Sequence, residues 1–315
     1  MRRKIKKYLT KVLDLIFFPV VVISAFLYRE VRRVGIQKFP LTKKTLIKIG
    51  VMPIRDQYYE PLFNAVHLKE PLSKERSLNA INWNAKEQVE FLRSFKYQDE
   101  LQNLSDVFVN DTTFHFNNGS FESGDAEYWY QMIRLKKPKK IMEIGSGNST
   151  KIARLAIEAN GKNSCEHICI EPYEMPWLEK ISVQTIREKV ENIPIDFFKK
   201  LEAGDILFID SSHVIRPQGD VLHEYLQILP SLNSGVIVHI HDIFSPRDYP
   251  HEWIIEEIRL WNEQYLLEAF LSNNNEWKIL GAVNYLRHHY FDLLSEKCPR
   301  LIASREPASF YMVKS

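Results

Sequence analysis

The sequence predicts an α/β fold: a doubly wound, mostly parallel sheet with helices on both faces and an N-terminal helical extension. Three observations carry it. From residue 140 onward, short apolar runs alternate with amphipathic stretches of helical period. A glycine turn, Gly145-Ser146-Gly147, stands between the first apolar run and the helical stretch that follows it. The later runs end in Glu171, Asp210 and Asp242, which places carboxylates along one rim of such a sheet.

The elements follow in order. Gln88, Phe91, Leu92 and Phe95 recur at helical spacing within 85–97, so a helix is expected there. Residues 140–145 read as a strand, 149–159 as a helix, and 167–171 and 206–210 as further strands. The amphipathic stretch 221–232 leads to the run 235–242. A helix over 252–271 then precedes 277–283 and 310–313, a final pair that would close the sheet. The segment after Asp242, with Arg247, Tyr249 and Trp253, reads as a substrate-facing loop.

At 315 residues the chain exceeds the roughly 100–200 of one ordinary domain. We divide it into a basic, hydrophobic, membrane-associated leader (1–48), a helical cover (49–120) and the α/β domain (121–315). The formal charge of +2 conceals an asymmetry: residues 1–50 hold 13 Lys and Arg against Asp14 and Glu30, a net of +11, leaving −9 for the rest. An acidic body repels phosphate backbones, which argues against nucleic acid as a partner. The basic leader instead suits an anionic membrane surface.

Within the leader, residues 15–28 carry no charge. Such a run is shorter than the roughly 20 residues of a bilayer crossing, and Pro19 is expected to kink it. Basic residues flank it on both sides, so a crossing would force one cluster outside. The expectation is a segment dipping into or lying on the inner face of the cell membrane, with the protein in the cytoplasm. A signal peptide and a buried helix of a soluble fold are the alternatives. Cys165, Cys169 and Cys298 leave an odd thiol and no C-x-x-C pair, which fits a reducing compartment. Cys165, His167 and Cys169 share one strand face but lack a fourth zinc ligand nearby, so strand thiols are expected rather than a zinc site.

Glu143, Gly145, Ser146, Gly147, Asn148 and Ser149 span the end of the first strand and the start of the next helix, where a glycine turn lets backbone approach a nucleotide-like ligand. Thr150 stands where a dinucleotide fingerprint has its third glycine. Glu143 would repel a pyrophosphate, whereas S-adenosylmethionine brings an ammonium and a sulfonium. Glu171, 24 residues after Gly147, suits a carboxylate that accepts ribose hydroxyls.

With these residues the sequence resembles the class I S-adenosylmethionine-dependent methyltransferases, in Glu143-Ile144-Gly145-Ser146-Gly147-Asn148-Ser149-Thr150 and in Ile170-Glu171-Pro172. More narrowly, it is similar to a bacterial O-methyltransferase-like group found in surface-polysaccharide loci. Asn117-Asn118-Gly119, Gly124-Asp125-Ala126, Lys137-Pro138-Lys139-Lys140, Asp210-Ser211-Ser212-His213, His241-Asp242-Ile243-Phe244 and Tyr249-Pro250 carry that likeness, across roughly 80–285. The resemblance implies a seven-stranded Rossmann-like sheet with its last strand antiparallel, and O-methylation of a sugar or other small hydroxyl acceptor linked to cell-surface glycan synthesis. A nicotinamide-dependent oxidoreductase and a non-catalytic membrane-associated scaffold are the other readings.

Asp210 and Asp242 end two runs that would be neighbouring strands about 4.8 Å apart, close enough to share a divalent cation such as Mg. In some macrolide-sugar O-methyltransferases that the sequence resembles, an Asp-x-x-His motif and an acidic pair hold magnesium. Here Asp210 with His213 matches the first, and His241-Asp242 the second with a histidine in place of a carboxylate. Asp210 thus counts toward both the cofactor and the metal set, the latter with His241 and Asp242. A regular strand points His241 and Asp242 to opposite faces, so both reach the site only if the strand bends. Without a metal, His213 or His241 must take the acceptor's proton.

Overall fold

The computed structural model describes Arg2 to Ser315, in two compact units: the chain up to Lys69 with Ile254–Leu260, and Glu70–Trp253 with Trp261–Ser315. In the first unit, α1 (Arg2–Val34) is one helix that continues through Pro19, and α2 (Pro40–Ile49) starts on a proline and ends on left-handed Gly50. The helical part of the leader is therefore longer than its charge-free run. Tyr8–Val34 is long and apolar enough to cross a membrane by length and composition, and none of its most apolar window is buried. That exposure is at odds with a core helix of a soluble fold.

The stretch expected to form a helical cover holds a 3-10 turn at Ala65–His67 in the first unit and, in the second, α3 (Ala85–Arg93), a 3-10 turn at Gln98–Leu101 and mostly irregular chain. The chain then alternates: α4 (Asp125–Lys136), β1 (Lys140–Ile144), α5 (Asn148–Asn160), β2 (Glu166–Ile170), β3 (Gln184–Ile186), α6 (Ile195–Phe198) and β4 (Ile206–Ile209). Next, α7 (Asp220–His223) passes through a wider π turn, Glu224–Ile228, into α8 (Leu229–Ser231) and then β5 (Ile237–Ile240). The expected helix 252–271 is shorter. A π turn, Glu252–Glu256, gives way at Ile258, whose positive φ no helix tolerates, and α9 (Glu263–Leu271) starts only beyond it. β6 (Trp277–Ala282), α10 (Val283–His289), α11 (Phe291–Lys297) and β7 (Phe310–Lys314) complete the chain.

The strands form one sheet in the order β3-β2-β1-β4-β5-β7-β6, with β7 antiparallel to both its neighbours and the other pairings parallel. This is the doubly wound, seven-stranded, Rossmann-like sheet expected. Both faces are covered, so the strands read as apolar runs. Met142, Ile144, Leu207, Ile209, Val238 and Ile240 pack on the side of Phe198, Val221, Tyr225 and Leu267. Ile141, Ile206, Phe208 and Ile237 pack on the other, against Leu92, Trp129, Ile133 and Ile152. Phe208→Ala would leave a cavity in that layer and cost about 3–5 kcal/mol. Between β1 and β4 the chain reverses its winding direction, and ligands of doubly wound sheets collect in the crevice at that point.

Candidate active site

Beyond β1 the backbone turns at Gly145 with φ +84°, and a Cβ there would stand 2.1 Å from the carbonyl oxygen of Asp210. Only glycine fits. The Gly145 N–H donates to Ile170 O (3.0 Å) and the Asp210 N–H to Ile144 O (2.9 Å), which ties the turn to β2 and β4. Gly147 precedes α5 in extended backbone, and a Cβ on it would meet nothing within 4 Å, so space beside it is open to a ligand. The Glu171 carboxylate accepts from the Ser146 N–H (3.2 Å) and the Tyr173 N–H (2.9 Å). Gly145, Glu171, Tyr173, Asp210, Ser212 and Asp220 are among the residues that line a cavity at the carboxyl ends of β1, β2 and β4. Asn148 donates to Ser120 (3.0 Å), tying the turn to a preceding loop, and Ser149 is buried in the first turn of α5.

Glu143 does not face that cavity. Its side chain points to the α5 side of the sheet and is fully buried, accepting from Thr150 Oγ1 at 2.5 Å and lying 3.4 Å from His167 Nε2. Its position near the strand's end suggests a place against the cofactor. The twofold alternation of the strand instead turns it inward, beneath the glycine turn.

β4 and β5 are parallel neighbours, with Ile209 opposite Ile240. Asp242 adopts φ +60°, and this left-handed residue supplies the bend that brings both His241 and Asp242 to the site. One ligand-type atom from each of Asp210, His241 and Asp242 lies within 4.8 Å of the others. His213, also left-handed at φ +59°, sets Nε2 3.2 Å from Asp210 Oδ1 and 3.5 Å from Asp242 Oδ2. Its Nδ1 is 2.7 Å from Glu263 Oε2. His241 lies 3.5 Å from Asp242 and 3.7 Å from Asp210 through Nδ1, and 3.7 Å from Asp125 through Nε2. These separations exceed a normal hydrogen bond, and neither ring nitrogen has such a partner among the described residues.

Burial alone would depress both imidazoles, but the carboxylates overcome it. Asp210 and Glu263 hold His213, and Asp242, Asp125 and Asp210 hold His241, well above the ordinary histidine range. Against its own burial, Asp210 is kept below the carboxylate range by the two histidines, whereas burial raises Asp242. Four carboxylates thus converge on two imidazoles, an arrangement suited to a bound cation.

Glu263 and Asp125 were missed as site residues. Glu263 stands at the start of α9, where an acid reads as a helix-dipole partner, and nothing in its spacing marks it. Asp125 lay inside a segment of family likeness but received no role; its Oδ1 accepts from the Ala308 (2.9 Å) and Ser309 (2.7 Å) N–H groups, fixing it beside His241. The loop after Asp242 is packed rather than open: Tyr249 is buried, its hydroxyl accepting from the Gln264 N–H at 3.1 Å, and Arg247 pairs with Glu75.

Residues 142–243 match the family model for a methyltransferase domain. That segment of the chain is similar to a methyltransferase domain. The antiparallel β7, inserted between β5 and β6, departs from the parallel strand order of dinucleotide-binding sheets, which counts against the nicotinamide oxidoreductase. The matched segment contains the glycine turn, Glu171, Asp210, His213, His241 and Asp242. An uncharacterized protein of Archaeoglobus fulgidus is 32% identical over 98 residues, which are 30% of this chain and 44% of that protein; the match therefore spans less than half of that relative. Among solved structures, the chain is similar to the O-methyltransferase TomG from Streptomyces achromogenes in complex with S-adenosylmethionine (10% identity, 74% of this chain and 97% of that one, TM-score 0.37). It is also similar to an O-methyltransferase from Bacillus cereus (13% identity, 76% and 100%, TM-score 0.36).

Proposed function

We propose that the methyltransferase domain transfers a methyl group from S-adenosylmethionine to a hydroxyl of a small-molecule or glycan acceptor, on the rim where Asp210 and Asp242 meet. The observation that carries it is the cavity beside the Gly145 turn, with Glu171 on its wall and the Asp210 cluster at its edge. The cofactor fits this chain: backbone at Gly147 is open, and carboxylates suit an ammonium and a sulfonium. S-adenosylmethionine supplies the electrophilic methyl. Glu171 is placed to accept the ribose hydroxyls, and the rim orients the acceptor and handles its proton.

The finer reading is that Asp210, His241 and Asp242 hold a divalent cation such as Mg, whose chemistry is to acidify a coordinated hydroxyl. A metal-free alternative has His213 or His241 take the acceptor's proton. The leader supports a cytoplasmic protein at the inner face of the cell membrane, because the apolar side chains of α1 are exposed between basic clusters. An acceptor linked to cell-surface glycan synthesis fits that position.

Labelled S-adenosylmethionine and a panel of sugar hydroxyl acceptors, with and without chelator, test the reaction. Transfer that stops in chelator while S-adenosylhomocysteine still binds supports the cation; transfer undiminished in chelator but lost in His241→Ala replaces it with base catalysis. No transfer to any acceptor, with no cofactor binding, leaves the non-catalytic scaffold. Flotation with phosphatidylglycerol vesicles tests the leader: the full chain should float and Ile23→Asp should float less, whereas a full chain that stays in the soluble fraction contradicts the membrane reading.

A further inference from the structure

We propose that Glu263, braced by Tyr225, is the positioning residue that holds the His213 ring with Nε2 toward Asp210 and Asp242. The inference rests on the cation reading and adds the device that aims a side chain into that site.

Glu263 is fully buried, and its two oxygens have separate tasks: Oε2 lies 2.7 Å from His213 Nδ1, and Oε1 accepts from the Tyr225 hydroxyl at 3.1 Å. An ionised carboxylate accepts only, so Nδ1 must carry the proton in this pair. Nε2 is then the nitrogen turned to the rim, 3.2 Å from Asp210 Oδ1 and 3.5 Å from Asp242 Oδ2. A lone pair facing two acceptor oxygens is repulsive unless a proton or a cation lies between them. At these separations the His213, Asp210 and Asp242 donors could hold one divalent cation between them.

The backbone repeats the constraint. The left-handed conformation of His213 is costly for a residue with a Cβ, and it persists because the His213 carbonyl accepts from the N–H groups of Asn262 (2.9 Å) and Glu263 (3.2 Å). One helix start therefore fixes both the ring and the chain that carries it. Trp261 covers the ring with its centroid 4.3 Å away. A carboxylate behind a histidine is the arrangement by which proteins set a ligand's tautomer and direction, and its loss commonly weakens metal binding about 10–100-fold.

The test is Mn²⁺ binding to the full chain by calorimetry, with S-adenosylhomocysteine affinity measured on the same samples. Glu263→Ala should weaken Mn²⁺ about 10–100-fold and leave S-adenosylhomocysteine unchanged, which a collapsed site would not do. Glu263→Gln, whose amide oxygen still accepts from Nδ1, should recover most of the affinity, and this variant covers the case in which Glu263→Ala fails to fold. His213→Ala combined with Glu263→Ala should bind no more weakly than His213→Ala alone. Glu263→Ala or Glu263→Gln that binds as the unaltered chain does, while His213→Ala binds weakly, overturns the positioning role only. An unaltered chain that binds no Mn²⁺ overturns the cation reading, and the positioning role with it.

Discussion

Among the described residues, two sets of three ligand-type side chains sit on the sheet, each with its donor atoms within 4.8 Å: Glu143, His167 and Cys169 beneath the glycine turn, and Asp210, His241 and Asp242 at the rim. They share chemistry but not access. The first set lies within β1 and β2, sealed by α5, with Thr150 already donating to Glu143. Burial and the neighbouring Glu143 charge push the Cys169 thiol far up, and a thiol kept protonated is a poor metal ligand. Cys165, expected on the same strand face, is not part of the cluster; Glu143 of the adjacent strand stands there instead. The second set lies where the chain leaves the sheet, and the Asp210 side chain is 34% exposed beside the cavity. Placement along the strand, more than residue type, separates a sealed network from an accessible rim.

The largest expected effect exploits that contrast. Asp242→Asn should lower methyl transfer at least about 100-fold, the scale of losing a charge that acts at the reacting centre, and should leave the denaturation midpoint nearly unchanged. Glu143→Ala should do the opposite. By removing the acceptor of the buried Thr150 hydroxyl it should cost about 1–3 kcal/mol in urea denaturation, with cation dependence retained. Loss of cation dependence in Glu143→Ala would erase the distinction between the two sets.

A third buried acid sharpens it at smaller scale. Glu127 accepts from the Gly124 N–H (3.1 Å) and the Arg300 N–H (2.9 Å), yet burial raises its pKa to about 7. Its folded value lies above the unfolded one, so the folded chain binds the extra proton. The contribution to stability is complete below about pH 4.5 and is lost as pH rises through about 7, worth at most about 3 kcal/mol. Denaturation midpoints at pH 5 and pH 8 should therefore differ more in the unaltered chain than in Glu127→Gln. Equal differences in the two would contradict the raised value.

Much of this was legible in the sequence, for reasons that also explain the gaps. Strands buried on both faces leave apolar runs, so β1, β2, β4, β5, β6 and β7 were found; β3 is a three-residue strand, Gln184-Thr185-Ile186, with no such run. α4 escaped notice because Asp125 to Ile133 are buried on every side, which erases the amphipathic stripe. At the site, carboxylates at strand ends marked Glu171, Asp210 and Asp242, but position alone did not tell inward Glu143 from outward Asp210. Glu263 reaches His213 across 50 residues, a contact that only the packing of α9 creates.

The most direct measurement is calorimetric titration of the full chain with S-adenosylhomocysteine and, separately, with NAD. The expected result is one site for S-adenosylhomocysteine, none for NAD, and an affinity reduced about tenfold or more in Glu171→Ala, the scale of hydrogen bonds to a charged group. Binding of NAD in place of S-adenosylhomocysteine, or undiminished affinity in Glu171→Ala, would contradict the assignment of the cavity beside Gly145.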